Sequence, residues 1–145
     1  MAEHKRKLIR QAVKAALATL PPATLKTVET SRRRDWQEEQ LPAAAVYTPA
    51  EDSARASTQR QLQRQMPVVI DLQAEGTVEL DDTMDALALA VEGVMAADPR
   101  LGGLATDSWL SRTETGFLGE AETGRGLCKL TYTVVYFTRA DGTEV

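Results

Sequence analysis

The chain reads as an α+β domain, a mixed and mainly antiparallel sheet packed against two main helices. Three observations predict this. Apolar residues recur at helical spacing in two stretches, Leu8 to Leu20 and Met84 to Met95. Two others, Arg60 to Leu72 and Gly126 to Arg139, carry strand patterns. The resulting order is helix, strands, helix, strands. A length of 145 residues suits one domain, residues 1–145, with a core large enough to need no staple.

In the first helix Leu8, Ile9, Ala12, Val13, Ala16, Leu17 and Leu20 form one apolar stripe. Lys5, Lys7, Arg10, Gln11 and Lys14 fill the other face, and Pro21-Pro22 ends the helix. A short strand is expected over Leu25 to Glu29, then a charged turn from Ser31 to Asp35, then a second strand over Leu41 to Tyr47. Thr48 to Thr58 is polar and contains Pro49; it predicts a mobile loop or hairpin tip. In the next strand Leu62, Met66, Val68, Ile70 and Leu72 share one parity, with Arg64 the exception. Pro67 within it predicts an edge strand or a bend.

The second helix begins near Asp81 or Asp82. Asp81, Asp82 and Asp85 crowd its first turn, where free N–H groups and the helix dipole favour negative charge. Met84, Leu87, Ala88, Val91, Val94 and Met95 form its buried stripe, and Asp98-Pro99 closes it. Leu101 to Ala105 reads as a short irregular link. Asp107 to Gly119 predicts a strand, Gly124 to Gly126 a turn, and Gly126 to Arg139 a final strand apolar on both faces. Residues 140–145 predict a loose tail.

Composition narrows the function classes. With 43% hydrophobic and 26% charged residues the chain groups with soluble globular folds. No apolar run is long enough for a membrane span, and Met1 to Leu20 lacks the pattern of a secretory signal, so no membrane partner is expected. His4 is the one histidine and Cys128 the one cysteine, too few for a multi-thiolate metal site or an internal disulfide. His4 falls in a charged first turn, where a surface role is expected. Cys128 reads as an ordinary strand thiol, without the positive surroundings a reactive thiolate needs. The glycines between Gly119 and Gly126 are interleaved with Glu120 and Glu122, which would repel phosphate, and the lysine of a P-loop is missing. No catalytic set, cofactor site or metal site is therefore predicted.

Charge is unevenly spread. Residues 1–65 hold 12 Lys/Arg against 7 Asp/Glu, a balance of +5, and residues 66–145 hold 5 against 14, a balance of −9. Such a split would favour head-to-tail contacts between copies if it corresponded to surface faces. Arg32-Arg33-Arg34 is the one sharp basic cluster. It reads either as a solvated turn balanced by Asp35, Glu38 and Glu39, or as a grip on carboxylates or phosphates.

Leu41-Pro42-Ala43-Ala44-Ala45-Val46-Tyr47, followed by a polar loop and a long strand, resembles the early part of the tail terminator family of lambda-like long-tailed phages. Leu130-Thr131-Tyr132-Thr133-Val134-Val135-Tyr136 is similar to that family's final strand. The helix from Met84 to Met95 and its sequel, through Asp98-Pro99-Arg100-Leu101, are similar to its central helix and the segment after it. The likeness runs in element order over roughly residues 5–138; the Arg32–Arg34 cluster and the glutamine-rich run Gln59 to Gln65 depart from it.

The resemblance implies a non-enzymatic virion protein that forms a six-membered ring on the finished tail tube. It would stop tube addition and join the head, with the tube protein and head–tail connector proteins as partners. It would assemble in the host cytoplasm and reside at the head-proximal end of the tail. Arg32, Arg33, Arg34, Arg55 and Arg60 are the candidate contacts with neighbouring subunits or with the lumen, where non-specific contact with passing DNA is expected. Two other readings stand beside it. One is a different head–tail joining or tail-tube-like virion protein. The other is a small host enzyme or regulatory domain using Glu114 or Glu120 in a cleft of the last two strands.

Overall fold

The computed structural model describes residues 3–32, 35–57, 60–76, 79–118 and 124–143. The elements are α1 (Lys5–Leu17), β1 (Thr27–Glu29), β2 (Ala43–Tyr47), β3 (Asp52–Arg55), β4 (Gln61–Glu75), α2 (Leu80–Ala97), β5 (Asp107–Leu118) and β6 (Arg125–Arg139), with short 3-10 turns at Glu38–Gln40 and Leu101–Gly103. Among the described residues the six strands form one sheet ordered β1-β2-β4-β6-β5, with β3 also paired to β4. All pairings are antiparallel except β1 with β2. This is the expected α+β arrangement.

Both helices lie on one face of the sheet. α1 buries Ile9, Val13 and Leu17, and α2 buries Met84, Leu87, Ala88, Val91 and Met95. They meet alternate residues of the two long strands: Met66, Val68, Ile70 and Leu72 of β4, and Leu130, Tyr132, Val134 and Tyr136 of β6. α1 packs over β2 and β1, α2 over β6 and β4. On the opposite face Trp36 packs on Ala43 and Ala45. The Trp36 carbonyl accepts a 2.5 Å hydrogen bond from Arg125 Nη1. Thr131, Thr133, Val135 and Phe137 on that face stay half-exposed.

Three local features depart from the sequence expectations. β4 is central, between β2/β3 and β6, although it contains Pro67. On one side β3 pairs with Leu62 to Gln65 and β2 with Val69 to Gln73, so neither pairs with residues 66–68. The proline falls in this gap, where fewest ladder hydrogen bonds are at stake. Within the expected loop 48–58, Asp52–Arg55 is a strand, formed because the amino-terminal half of β4 offers it a partner; Thr58 lies outside the described residues. In the expected tail, residues 140–143 form a turn: Gly142 N–H donates to the Arg139 carbonyl, and the Gly142 carbonyl accepts from Lys5 N–H. Glu144 and Val145 lie outside the described residues.

Gly126 shows how closely α2 sits on the sheet. A Cβ there would lie 2.4 Å from Met84 Cγ and 3.2 Å from Leu80 Cγ. The expected turn at residues 124–126 therefore ends earlier, since β6 already begins at Arg125 and needs the missing side chain of Gly126 within the strand.

Candidate functional site

The structure separates the arginines singled out from the sequence. Arg32 follows β1, and its guanidinium lies 5.3 Å from the centroid of the Tyr47 ring, a cation–π contact. Arg33 and Arg34 lie outside the described residues. Arg55 ends β3 and Arg60, with φ 63°, immediately precedes β4; both are exposed near the tip of the β3–β4 hairpin. Tyr47 is opposite Val69 and Arg55 opposite Leu62. That is seven positions along β4, about 24 Å at 3.4 Å per residue. The arginines thus share one margin of the sheet, the β1/β3 side, without forming one cluster.

The other margin is β5, whose outer edge pairs with no strand among the described residues. It is 12 residues long and exposed almost throughout, with Trp109 at 44% and Phe117 at 47% relative exposure. A register shift at Ser111, between Leu110 and Arg112, is its one interruption. Glu114 is exposed and forms a 2.7 Å ion pair with Arg112; Glu120 lies outside the described residues. The strand partner of Glu114 is Lys129, and the shallow recess between them is otherwise lined by Thr115, Gly116 and Leu127.

Sequence reasoning missed a buried polar network at the pole of the sheet where β4 begins and β6 ends. Glu51 Oε1 accepts from Arg6 Nη2 at 2.5 Å and from Arg64 Nη1 at 2.6 Å, and Oε2 accepts from the Tyr136 hydroxyl at 2.6 Å. Arg64 Nε donates to Thr138 Oγ1 at 2.9 Å. Burial alone would raise the Glu51 pKa; the hydrogen bonds from Tyr136, Arg6 and Arg64 outweigh it and hold the carboxyl below its ordinary value. Burial, followed by the bond to Glu51, raises the Tyr136 phenol. The signal was Arg64 itself, a charge on the apolar parity of a strand. Its neighbours on that face are helix-covered, so it requires a buried carboxylate.

His4 borders this pole and is partly exposed. It is the N-cap of α1, where Nδ1 accepts from Arg6 N–H at 3.0 Å, and Gly142 approaches its ring closely enough that a Cβ would sit 2.6 Å from Cδ2. Burial, then the charges of Arg6 and Arg64, lower its pKa. Cys128 is buried on β6, its thiol pushed up by burial and then by Glu92 and Asp85, the opposite of an activated thiolate. Asp81 and Asp82 lie in the first turn of α2, as expected, while Asp85 falls in the second because the helix begins at Leu80. Among the described residues no three His, Cys, Asp or Glu side chains converge as metal ligands, and no helix is long and apolar enough to cross a membrane.

No family model and no curated protein matches the chain. Among solved structures, a chain from the virion of a native gene transfer agent (GTA) particle aligns with 88% of this chain and 90% of its own, at 19% identity and a TM-score of 0.48.

Proposed function

We propose that this chain is a virion structural protein without catalytic activity, a tail terminator whose copies form a ring on the finished tail tube of a long-tailed phage. The observation that carries this reading is the β5 margin. Natural proteins usually protect a sheet edge with prolines, short strands or a covering helix. β5 is 12 residues long and contains no proline, and although a register shift at Ser111 and the charges of Asp107, Arg112 and Glu114 blunt it in part, it presents Trp109 and Phe117 to solvent, as an edge kept for a partner would. The opposite margin is built from different strands, β1 and β3. A second copy meeting β5 through that margin makes a heterologous contact, the kind that closes into rings.

The proposed mechanism is geometric. One ring face matches the open end of the tube and binds it; the other presents no tube-like surface, so addition ends and the head joins there. The resemblance of Leu41–Tyr47 and Leu130–Tyr136 to tail terminators supports a six-membered ring. Arg32, Arg55 and Arg60 on the β1/β3 margin are the proposed contacts with the neighbouring copy, or with DNA where they face the lumen.

The test is electron microscopy of the purified chain alone and added to growing tails. Rings, and tails of fixed length carrying a ring at the head-proximal end, are expected. Tails that lengthen by incorporating the chain would identify a tube subunit instead. A chain that stays monomeric and leaves tail length unchanged overturns the assembly reading.

A further inference from the structure

We propose that the helix layer supplies the second half of a head-to-tail contact, with the acidic flank of α2 in one copy docking on the basic flank of α1 in a second copy. This rests on the assembly reading above and names the surface that makes it directional. α2 faces α1 through Val94 and Met95, which line a groove with Ala12 and Ala16. At 100° per residue, Asp81, Asp85 and Glu92 fall within about 40° of arc on the flank turned away from α1, the side toward β5. The fields agree with that placement: Glu92 and Asp85 act on Cys128 and Glu92 on Tyr132, β6 residues paired to Thr115 and Leu110 of β5. On the same flank of α2 Leu89 is 73% exposed, and Phe117 is exposed on β5 below.

The α1 side mirrors this in charge. Arg10 and Lys14 lie on the flank turned away from α2, and Arg10 Nη1 donates to Thr48 Oγ1 at 3.0 Å, which fixes that flank beside the connection from β2 to β3. Arg55 is exposed on the same margin. Among the described residues the outer flank of α1 is therefore basic and the outer flank of α2 acidic, while on the sheet margin itself Glu29 of β1 and Asp52 of β3 offset Arg32 and Arg55. Exposed ion pairs are individually weak. They steer and orient the approach, while burial of Leu89 and Phe117 supplies attraction without direction.

Two variants test this in sedimentation velocity at low salt, with circular dichroism confirming the fold of each. One carries Asp85→Lys and Glu92→Lys, the other Lys14→Glu and Arg55→Glu. Each alone should lose at least about tenfold in self-association affinity. Their equimolar mixture should regain it, because every contact then joins unlike charges in an alternating assembly. Leu89→Ser should weaken assembly and not be rescued by mixing. Wild-type chain that stays monomeric at its highest soluble concentration, reversals without effect, or a mixture that remains dissociated would each overturn the proposal. If mixing restores assembly and the assemblies do not limit tail length, the docking surface stands and the tail-terminator reading fails. If tail length is limited and the reversals are silent, the tail-terminator reading stands and the docking surface fails.

Discussion

Glu51 accepts hydrogen bonds from α1, β4 and β6 at once, and both it and Arg64 have side chains only 10% exposed. Removing one partner of such a pair strands the other charge. Glu51→Ala should therefore lower unfolding free energy by about 3 kcal/mol in urea titrations. Glu51→Gln with Arg64→Met should recover much of that, since the stranded charge goes too. The pH dependence follows from the direction of the shifts. A carboxyl held below its ordinary value of 4.5 contributes stability that is complete above that pH and is lost as pH falls through the folded value. His4, lowered from 6.5, favours the neutral form in the fold, so its contribution is present above pH 6.5 and fades as pH falls and the ring protonates. His4→Asn, which keeps a capping oxygen, should flatten the dependence of thermal stability on pH below 6.5 while leaving stability nearly unchanged at about pH 8. Of this pole the sequence showed the buried arginine and no more. Nothing local marks Glu51 among 21 acidic residues, because the contact joins positions 13 residues apart that only the β3–β4 hairpin brings together.

At the scale of elements, the parts carrying their own periodicity were legible and the parts created by pairing were not. α2 spans Leu80–Ala97 around the expected stripe, and β6, read as apolar on both faces, is an interior strand whose even-numbered residues are buried and whose odd-numbered ones are only partly covered. β3, Asp-Ser-Ala-Arg, has no apolar alternation to read and exists because β4 outruns β2. The central place of β4 was hidden for a related reason: Pro67 argues for an edge unless two separate strands share one flank of the sheet and leave a gap. The tight seat of α2 yields a sharp expectation. Gly126→Ala forces Met84 to move and should cost about 1–3 kcal/mol, measured by thermal denaturation, with Met84→Ala relieving the clash in the double variant. On the other face Trp36 is the main cover over Ala43 and Ala45. Trp36→Ala should cost about 3 kcal/mol by the same measurement.

For the whole molecule, the fold class was readable because the order of elements and the length leave few ways to bury two helix stripes. The two-sidedness was not, since charge along a sequence becomes charge on a face only through topology. Here α1 packs over β1 and β2 and α2 over β6 and β4, which leaves the outer flank of α1 toward the β1 margin and the outer flank of α2 toward the β5 margin. Self-association should weaken as salt rises from low to physiological ionic strength, seen as a falling weight-average sedimentation coefficient. The turn beside His4 has a practical corollary. Lys5 is bonded to Gly142, so the described chain is nearly a closed circuit whose two ends share one pole. A glycine linker joining them, with a new opening at the exposed Gly102-Gly103 link, should yield a circular permutant that folds.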